Sequence, residues 1–246
     1  MGAKKIIGSD VAIKAKDGGK FQAYLSLPVT DLPAPAVIVI QEIFGVNRNM
    51  RDICDNLSQM GYTAICPDLF WRQKPGVQLT DKTDAEWQQA FEFYKGFDII
   101  LGIKDLIATL DFVRNHKDCS GKVGSIGYCL GGKLAYLMAA RSTVDCSVSY
   151  YGVDIDSFTA EAAAIKKPLL LHIAEKDAYV SPDAQKKIKA ALKSNPKAEI
   201  YVYEGVDHAF ARIGGKNFNA EAAMLANMRS ADFLATHLTS PDDQNR

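Results

Sequence analysis

The sequence lacks an excess of charge of either sign, and it lacks any long hydrophobic run. Twenty-nine Lys and Arg residues balance twenty-nine Asp and Glu residues. Such a chain has no general electrostatic attraction to nucleic acid or to an anionic membrane. No segment approaches the roughly 18 uninterrupted apolar residues of a membrane span, and the first residues lack the apolar core of a secretory leader. We therefore predict a cytoplasmic protein that binds neither nucleic acid nor membranes.

Cysteine is also scarce, and its pattern indicates neither disulfides nor a metal site. The five cysteines are an odd number with no C-x-x-C pair, which indicates free thiols in a reducing compartment. The sequence has no cluster of His and Cys ligands and no G-x-G-x-x-G turn, so we predict no metal and no cofactor. The thiols in question are Cys54, Cys66, Cys119, Cys129 and Cys146.

The apolar content is sufficient for a sizeable core. Of the 246 residues, 48% are apolar, which predicts a single domain over residues 1–246. No linker, repeat or low-complexity tract interrupts the series of predicted elements. The polar residues 240–246 are predicted to be disordered.

Predicted strands and helices alternate along the chain. Two segments rich in strand formers flank DGGK and predict an antiparallel hairpin, and AVIVIQ at 36–41 predicts a buried parallel strand. The alternation predicts an α/β fold with a mostly parallel sheet, an N-terminal antiparallel hairpin and helices on both faces. Ligands bind such sheets at the carboxyl ends of the strands. The other predicted strands are 62–67, 122–127, 146–152, 168–174 and 198–205, and the predicted helices are 48–60, 81–98, 103–116, 131–142, 181–194 and 221–238.

One motif stands between a predicted strand and a predicted helix. The segment GYCLGGK, residues 127–133, has the form of a nucleophile elbow with Cys129 in the nucleophile position. The elbow is a strained turn, and the glycines two residues to either side avoid collisions with neighbouring backbone. The helix N-terminus favours a thiolate there. The alternative is a buried core cysteine beside a glycine-rich helix start.

A thiol nucleophile needs a base, and the base needs an acid to orient it. His208 follows the last predicted strand, and Asp177 follows the strand before it. The order nucleophile, acid, histidine is the order of this elbow architecture. Glu175 and Asp207 remain rivals for the acid, and an ordinary surface-loop histidine remains the alternative for His208. The other histidines are predicted in the core (His172) or at helix ends (His116, His237).

Acyl transfer also needs donors for the developing oxyanion. The backbone N–H after the nucleophile belongs to Leu130, and the loop QEIFG supplies the amide of Ile43 as the second candidate. Glu42 in the same loop is a carboxylate entering an apolar strand end, which is costly without a partner. A solvated loop glutamate is the alternative reading.

The segments GYCLGGK, QEIFGVN, PDLFWRQKPG, YYG and HAFAR together resemble the dienelactone hydrolase family, the carboxymethylenebutenolidases. The likeness runs from about position 10 to the final helix. It implies a single α/β-hydrolase domain in which Cys129, Asp177 and His208 form the triad, with the Leu130 and Ile43 amides as oxyanion donors.

The resemblance also implies how the thiol is regulated and how substrate is held. The glutamate matching Glu42 keeps the resting thiol protonated until an anionic substrate displaces it. Family members bind a substrate carboxylate with two arginines and a tyrosine. Arg212 matches one arginine, whereas Trp87 stands in place of the other and Phe91 in place of the tyrosine.

This departure leaves the substrate open. Trp87 and Phe91 lie one helical turn apart and either line a pocket or pack on the core. Arg72 is a candidate to replace the missing charge. Further pocket candidates by position are Phe44, Tyr94 and Tyr150.

These observations predict a metal-independent hydrolase of small carboxylic esters or lactones, anionic ones among them, acting through Cys129. A different class, a non-catalytic receptor or thiol sensor that retains the same fold, remains the alternative. A changed reaction such as dehalogenation or acyl transfer is a third reading. The predicted hairpin edge fits either a monomer or a homodimer.

Overall fold

The computed structural model describes residues 5–239 and divides the chain into two compact units, Met1–Val123 and Gly124–Arg246. The predicted disorder of residues 240–246 falls outside the described residues. The prediction of a single domain stays a prediction, and the two units are described in turn. No helix in the described part of the chain is long and apolar enough to cross a membrane.

The first unit contains the predicted hairpin and the first parallel strand pair. The strands lie in the order β1-β2-β4-β3, with β1, β2 and β4 antiparallel and β3 parallel to β4. Gly18 and Gly19 have φ of 103° and 81° in the hairpin turn, as their sequence predicts. The elements are β1 Ile6–Lys14, β2 Lys20–Pro28, β3 Ala34–Ile40, α1 Arg48–Gln59, β4 Thr63–Pro67, α2 Asp84–Lys95 and α3 Ile99–Arg114.

The helices of this unit begin at side-chain caps. The side chains of Asn47, Thr83 and Asp98 each accept a hydrogen bond from a backbone N–H in the first turn of α1, α2 and α3. Each cap satisfies a donor that has no partner within the helix. The helices therefore start close to the predicted positions.

The second unit is built on parallel strands only. The strands β5, β6, β7 and β8 pair in that order, and each pair is parallel. The unit boundary falls within β5. The elements are β5 Cys119–Tyr128, α4 Leu130–Arg141, β6 Cys146–Tyr150, a 3-10 helix Ile155–Ala164, β7 Leu169–Ala174, α5 Pro182–Leu192, β8 Ala198–Tyr203 and α6 Ala220–Leu238.

The 3-10 helix is the one element of this unit for which the sequence pattern gave no prediction. It begins after Asp154, whose backbone is left-handed with φ of 54°. The hydroxyl of Tyr136 on α4 donates to the Phe158 carbonyl at 3.1 Å. A contact from a distant helix thus holds a segment whose own sequence has no strong periodicity.

A chain of hydrogen bonds between polar side chains lies in the core of the second unit. The two imidazole nitrogens of His172 lie 2.8 Å from the Tyr203 hydroxyl and 2.9 Å from the Ser230 hydroxyl. The Ser230 hydroxyl also meets that of Tyr150, which in turn donates to Asn227. His172 is therefore a satisfied core histidine, as the sequence predicts.

This burial makes folding stability sensitive to acid through His172. Burial, and then the nearby charge of Arg229, lower the pKa of His172 from 6.5 to about 3. Below pH 6.5 the unfolded chain takes up a proton that the folded chain refuses, so stability falls as the pH falls toward 3. We expect the free energy of unfolding to decrease by about 2 kcal/mol more between pH 7 and pH 5 in the wild type than in His172→Gln.

Urea unfolding of both proteins at the two pH values measures this difference. His116→Gln serves as the control, because His116 is partly exposed at the end of α3. An equal loss of stability on acidification in the wild type and in His172→Gln would contradict the expectation.

Candidate active site

Cys129 occupies a strained turn between β5 and α4. Its backbone is left-handed, with φ of 57° and ψ of −114°. Its N–H donates to the Tyr150 carbonyl at 3.1 Å, and its own carbonyl accepts from the Lys133 N–H at 3.2 Å. A non-glycine residue adopts this conformation only where the surrounding structure imposes it. The geometry is that of the predicted elbow.

Two glycines make the turn possible. A Cβ atom on Gly127 would lie 1.9 Å from the carbonyl oxygen of Gly131, and one on Gly132 would lie 2.6 Å from the carbonyl oxygen of Tyr150. Both neighbours are backbone atoms that have little freedom to move. The glycines therefore allow strand, turn and helix to approach closely enough to present Cys129.

Asp177 and His208 come together at the carboxyl ends of β7 and β8. The imidazole Nδ1 lies 3.0 Å from Oδ1 and 2.9 Å from Oδ2 of Asp177. Oδ1 also accepts the backbone N–H groups of Tyr179 and Val180 at 2.9 and 3.2 Å. Both side chains of the pair are buried. The carboxylate is held in one orientation, and it orients the ring.

His208 interacts electrostatically with both Cys129 and Asp177. Burial lowers the pKa of His208, whereas its interactions with Cys129 and Asp177 raise it, with a net result of about 10. Within the described residues, Nε2 is buried and has no nitrogen or oxygen partner. The arrangement therefore favours the protonated form of His208.

The rival acids have other partners. Glu175 accepts the Gly205 N–H at 2.9 Å. Asp207 accepts the backbone N–H groups of Ala178 at 2.8 Å and His208 at 2.6 Å through one oxygen. The structure thus brings Asp177, and neither rival, to the imidazole ring.

Two tyrosine rings flank His208. Tyr151 and Tyr179 meet the imidazole edge to face, with centroid distances of 5.1 and 4.9 Å. Tyr151 has a left-handed backbone, with φ of 37°. Neither ring was predicted from the sequence to lie at the site. The available signal was position, because Tyr151 directly follows β6 and Tyr179 follows Asp177 by two residues.

Leu130 and Arg212 lie in the same unit as the three side chains. Leu130 is the first residue of α4 and directly follows the thiol. Arg212 lies in the loop after His208, where its N–H donates to the Ala209 carbonyl at 3.0 Å, and its charge acts on Tyr179. The predicted roles of Leu130 and Arg212 stay predictions.

Tyr150 differs from its predicted place in a pocket. Its side chain is fully buried, and its hydroxyl is bonded to Asn227 and Ser230 on α6 at 2.9 and 2.7 Å. The phenol is therefore part of the buried hydrogen-bonded network that includes His172. We therefore do not propose Tyr150 as a substrate contact.

The remaining aromatic candidates form a cluster in the first unit. Phe44 and Trp87 meet edge to face at 5.0 Å, and Trp87 and Phe91 are 5.6 Å apart, so the two α2 residues do face the same way. The indole N–H of Trp87 donates to the Asp81 carbonyl at 3.1 Å. Tyr94 on the same helix is partly buried. The predicted roles of Phe44, Trp87, Phe91 and Tyr94 in binding substrate stay predictions.

Glu42 and Ile43 lie two and three residues after the end of β3 and are both buried. The neighbouring Gln41 holds this loop, since its side chain accepts the Leu69 N–H at 3.0 Å and donates to the Glu42 carbonyl at 3.2 Å. The burial of Glu42 does not fit the alternative of a solvated loop glutamate. The regulatory role of Glu42 and the oxyanion role of Ile43 stay predictions.

Arg72 is not available as a substitute charge for substrate. Its guanidinium donates to both carboxylate oxygens of buried Asp105, at 2.8 and 2.9 Å, and to Asp17 at 2.8 Å. Bidentate pairing of this kind occupies most of the N–H donors of the guanidinium group. The candidate role of Arg72 is therefore corrected to one of holding α3 and the β1–β2 turn.

The family of the chain follows from comparison with known protein families. The sequence model of the dienelactone hydrolase family matches residues 21–238. The chain belongs to the dienelactone hydrolase family. The resemblance drawn from the sequence motifs is thereby confirmed.

Individual relatives agree over nearly the whole length. The carboxymethylenebutenolidase of Pseudomonas putida is 39% identical over 225 residues, which cover 92% of this chain and 95% of that protein. A protein of Azospirillum brasilense, provisionally named a carboxymethylenebutenolidase, is 49% identical over 240 residues that cover 94% and 99%. A crystal structure from Klebsiella pneumoniae, provisionally named a dienelactone hydrolase, has a TM-score of 0.84 at 29% identity and covers 94% and 99%. The predicted α/β-hydrolase fold is confirmed.

Proposed function

We propose that this dienelactone hydrolase family member hydrolyses small carboxylic esters or lactones, with Cys129 as nucleophile. The observation that carries the proposal is the buried Asp177–His208 pair, whose imidazole interacts with a thiol held in a strained elbow. The membership of a hydrolase family supports the same reaction class. Nucleophile, base and orienting acid are the three parts that acyl transfer requires.

The proposed reaction begins with the thiol proton of Cys129 transferred to His208. The Cys129 thiolate attacks the carbonyl carbon, and the electron pair of the carbonyl moves onto its oxygen. The backbone N–H of Leu130, at the N-terminus of α4, is the proposed donor to that oxyanion. When the intermediate collapses, the C–O bond breaks and the leaving oxygen takes the proton held on His208. In a lactone the leaving hydroxyl stays attached to the acyl group.

Hydrolysis of the thioester restores the enzyme. His208, now neutral, accepts a proton from water as the water oxygen attacks the thioester carbonyl. The carbon–sulfur bond then breaks, the thiolate is regenerated, and the carboxylic acid leaves. Asp177 accepts the Nδ1–H throughout and stabilises the imidazolium each time it forms.

Selective alkylation tests the assignment of the nucleophile in the unmutated chain. We expect iodoacetamide to modify Cys129 and to abolish turnover of a carboxylated dienelactone and of a neutral aryl acetate, because thiolates react fastest. Cys119, which is partly exposed, is the internal control, whereas Cys54, Cys66 and Cys146 are buried. Peptide mass spectrometry gives the labelled fraction of each cysteine, and the residual hydrolytic activity is compared with that fraction.

We expect the hydrolytic activity to fall in proportion to the labelling of Cys129, and we expect bound substrate to slow that labelling. Labelling of Cys119 should leave the activity unchanged. A protein that is labelled at Cys129 but hydrolyses neither substrate before labelling would instead favour a receptor or thiol sensor. Retention of full activity after complete labelling of Cys129 would contradict the proposed mechanism.

A further inference from the structure

Tyr179 stands on a loop that is held in place from several sides. The loop follows β7, and the N–H of Tyr179 donates to Asp177 at 2.9 Å. The adjacent N–H of Ala178 donates to Asp207 at 2.8 Å, and the same oxygen of Asp207 accepts the N–H of His208. The loop carrying Tyr179 is thus joined by hydrogen bonds both to the acid of the triad and to the residue beside the base.

Gln185 on α5 also holds this loop through hydrogen bonds. Its buried side-chain amide lies within 3.0 to 3.2 Å of the carbonyl oxygens of Ala174, Glu175 and Val180. One side chain therefore fixes both ends of the connection between β7 and α5. A residue on a loop so fixed presents its side chain in a definite place, which is what specific recognition requires.

The ring of Tyr179 contacts the imidazole of His208 on one side and solvent on the other. The centroids of the two rings are 4.9 Å apart in an edge-to-face arrangement, yet 52% of the residue is exposed. Among the aromatic residues that contact His208, Tyr151 is buried. Tyr179 is thus the aromatic side chain that an arriving molecule meets at this histidine.

The electrostatic surroundings of the phenol determine what it can do. Burial, followed by the electrostatic interactions with Cys129 and Asp207, raises the pKa of Tyr179, and the charge of Arg212 lowers it. The hydroxyl therefore stays protonated at neutral pH and remains a hydrogen-bond donor. This neutral donor and the guanidinium of Arg212, whose charge acts on it, form a suitable pair for an anionic group.

We propose that Tyr179 is a specificity-determining residue, whose hydroxyl donates a hydrogen bond to a carboxylate of the substrate that Arg212 also attracts. The inference rests on the proposed ester or lactone hydrolysis. A donor to a charged group contributes more than a donor to a neutral one, so its effect depends on the charge of the substrate.

The test removes only the hydroxyl and varies only the charge of the substrate. Tyr179→Phe keeps the ring against His208, and the two substrates are a carboxylated dienelactone and its neutral methyl ester. We expect the ratio of kcat/KM for the acid to kcat/KM for the ester to fall by about tenfold or more, mainly through KM. Tyr201→Phe is the control, because that hydroxyl lies 3.5 Å from Glu199 on β8 and its loss should leave the ratio unchanged within about twofold.

Arg212→Gln and the double variant test the coupling of the two donors. If both groups bind one carboxylate, the loss from the double variant will differ from the product of the single losses. Equal losses for the acid and the ester in Tyr179→Phe, or no loss for either, would overturn the proposal. Such a result leaves the hydrolytic function intact, because the wild type still cleaves the substrates.

A binding measurement keeps the inference testable if the proposed hydrolysis itself fails. In the Cys129→Ala background, calorimetry with the carboxylated dienelactone compares Tyr179 and Tyr179→Phe without any turnover. We expect the dissociation constant to rise about tenfold on loss of the hydroxyl. An unchanged dissociation constant would contradict the role of Tyr179 whatever reaction the thiol performs.

Discussion

Cys129→Ala is expected to lower kcat for a carboxylated dienelactone and a neutral aryl acetate by a factor on the order of 10⁴ to 10⁶. The methyl group cannot attack the carbonyl, and His208 alone activates water far less well than it activates a thiol at the elbow. Binding and the oxyanion donor remain and account for the residual rate. Steady-state loss of each substrate, at protein concentrations high enough to detect the residual rate, measures the effect.

The controls separate loss of the nucleophile from loss of the fold. Cys146→Ala truncates a fully buried thiol on β6 in the same unit, so it reports the effect of removing a core sulfur without touching the elbow. Urea unfolding of both variants should show a larger destabilisation at Cys146 than at Cys129. Truncation of the fully buried Cys146 leaves a cavity in the core, whereas the backbone strain at position 129 is the same for cysteine and alanine. Full activity in Cys129→Ala would exclude Cys129 as the nucleophile and would mean that another group attacks the substrate.

The fold was largely predictable because its signals are local. The β-branched run at 36–41, the Gly18–Gly19 turn and the apolar spacing of the helices each depend on neighbouring residues, and β3, the hairpin and α1 to α6 lie close to the predicted positions. The 3-10 helix at Ile155–Ala164 was not predictable in this way. Its contact with Tyr136 joins residues 22 positions apart, and no local pattern encodes it.

The pairing of Asp177 with His208 was predictable for a topological reason, whereas the contacts of the surrounding residues were not. Parallel strands bring the residues after β7 and β8 to one edge, so Asp177 and His208 could be paired from their positions alone. Arg72 and Tyr150 were placed less well, because their partners, Asp105 and Asn227, lie 33 and 77 residues away. Tyr179 was missed because a tyrosine in a loop has no distinguishing pattern until its ring is seen against His208.

Asp177→Asn is expected to lower kcat by a factor on the order of 10³ to 10⁴ with little change in the fold. Oδ1 of Asp177 accepts the N–H groups of Tyr179 and Val180, so the amide oxygen of asparagine will take that place. The amide nitrogen will then face Nδ1 of His208, where Oδ2 lies 2.9 Å away in the wild type. A donor facing Nδ1 forces the ring proton onto Nε2, and the base can no longer accept the proton of Cys129.

Glu175→Gln is the matched control for this prediction, because it makes the same chemical change two residues earlier on the same loop. Glu175 is bonded to the Gly205 N–H, and a glutamine oxygen can accept the same bond, so kcat should change by less than about threefold. A large loss in Glu175→Gln with a small loss in Asp177→Asn would exchange the two assignments. Equal, small losses in both would show that the imidazole needs no carboxylate. In that case the thiolate beside His208 would have to be stabilised by its own ion pair and by the N-terminus of α4 alone.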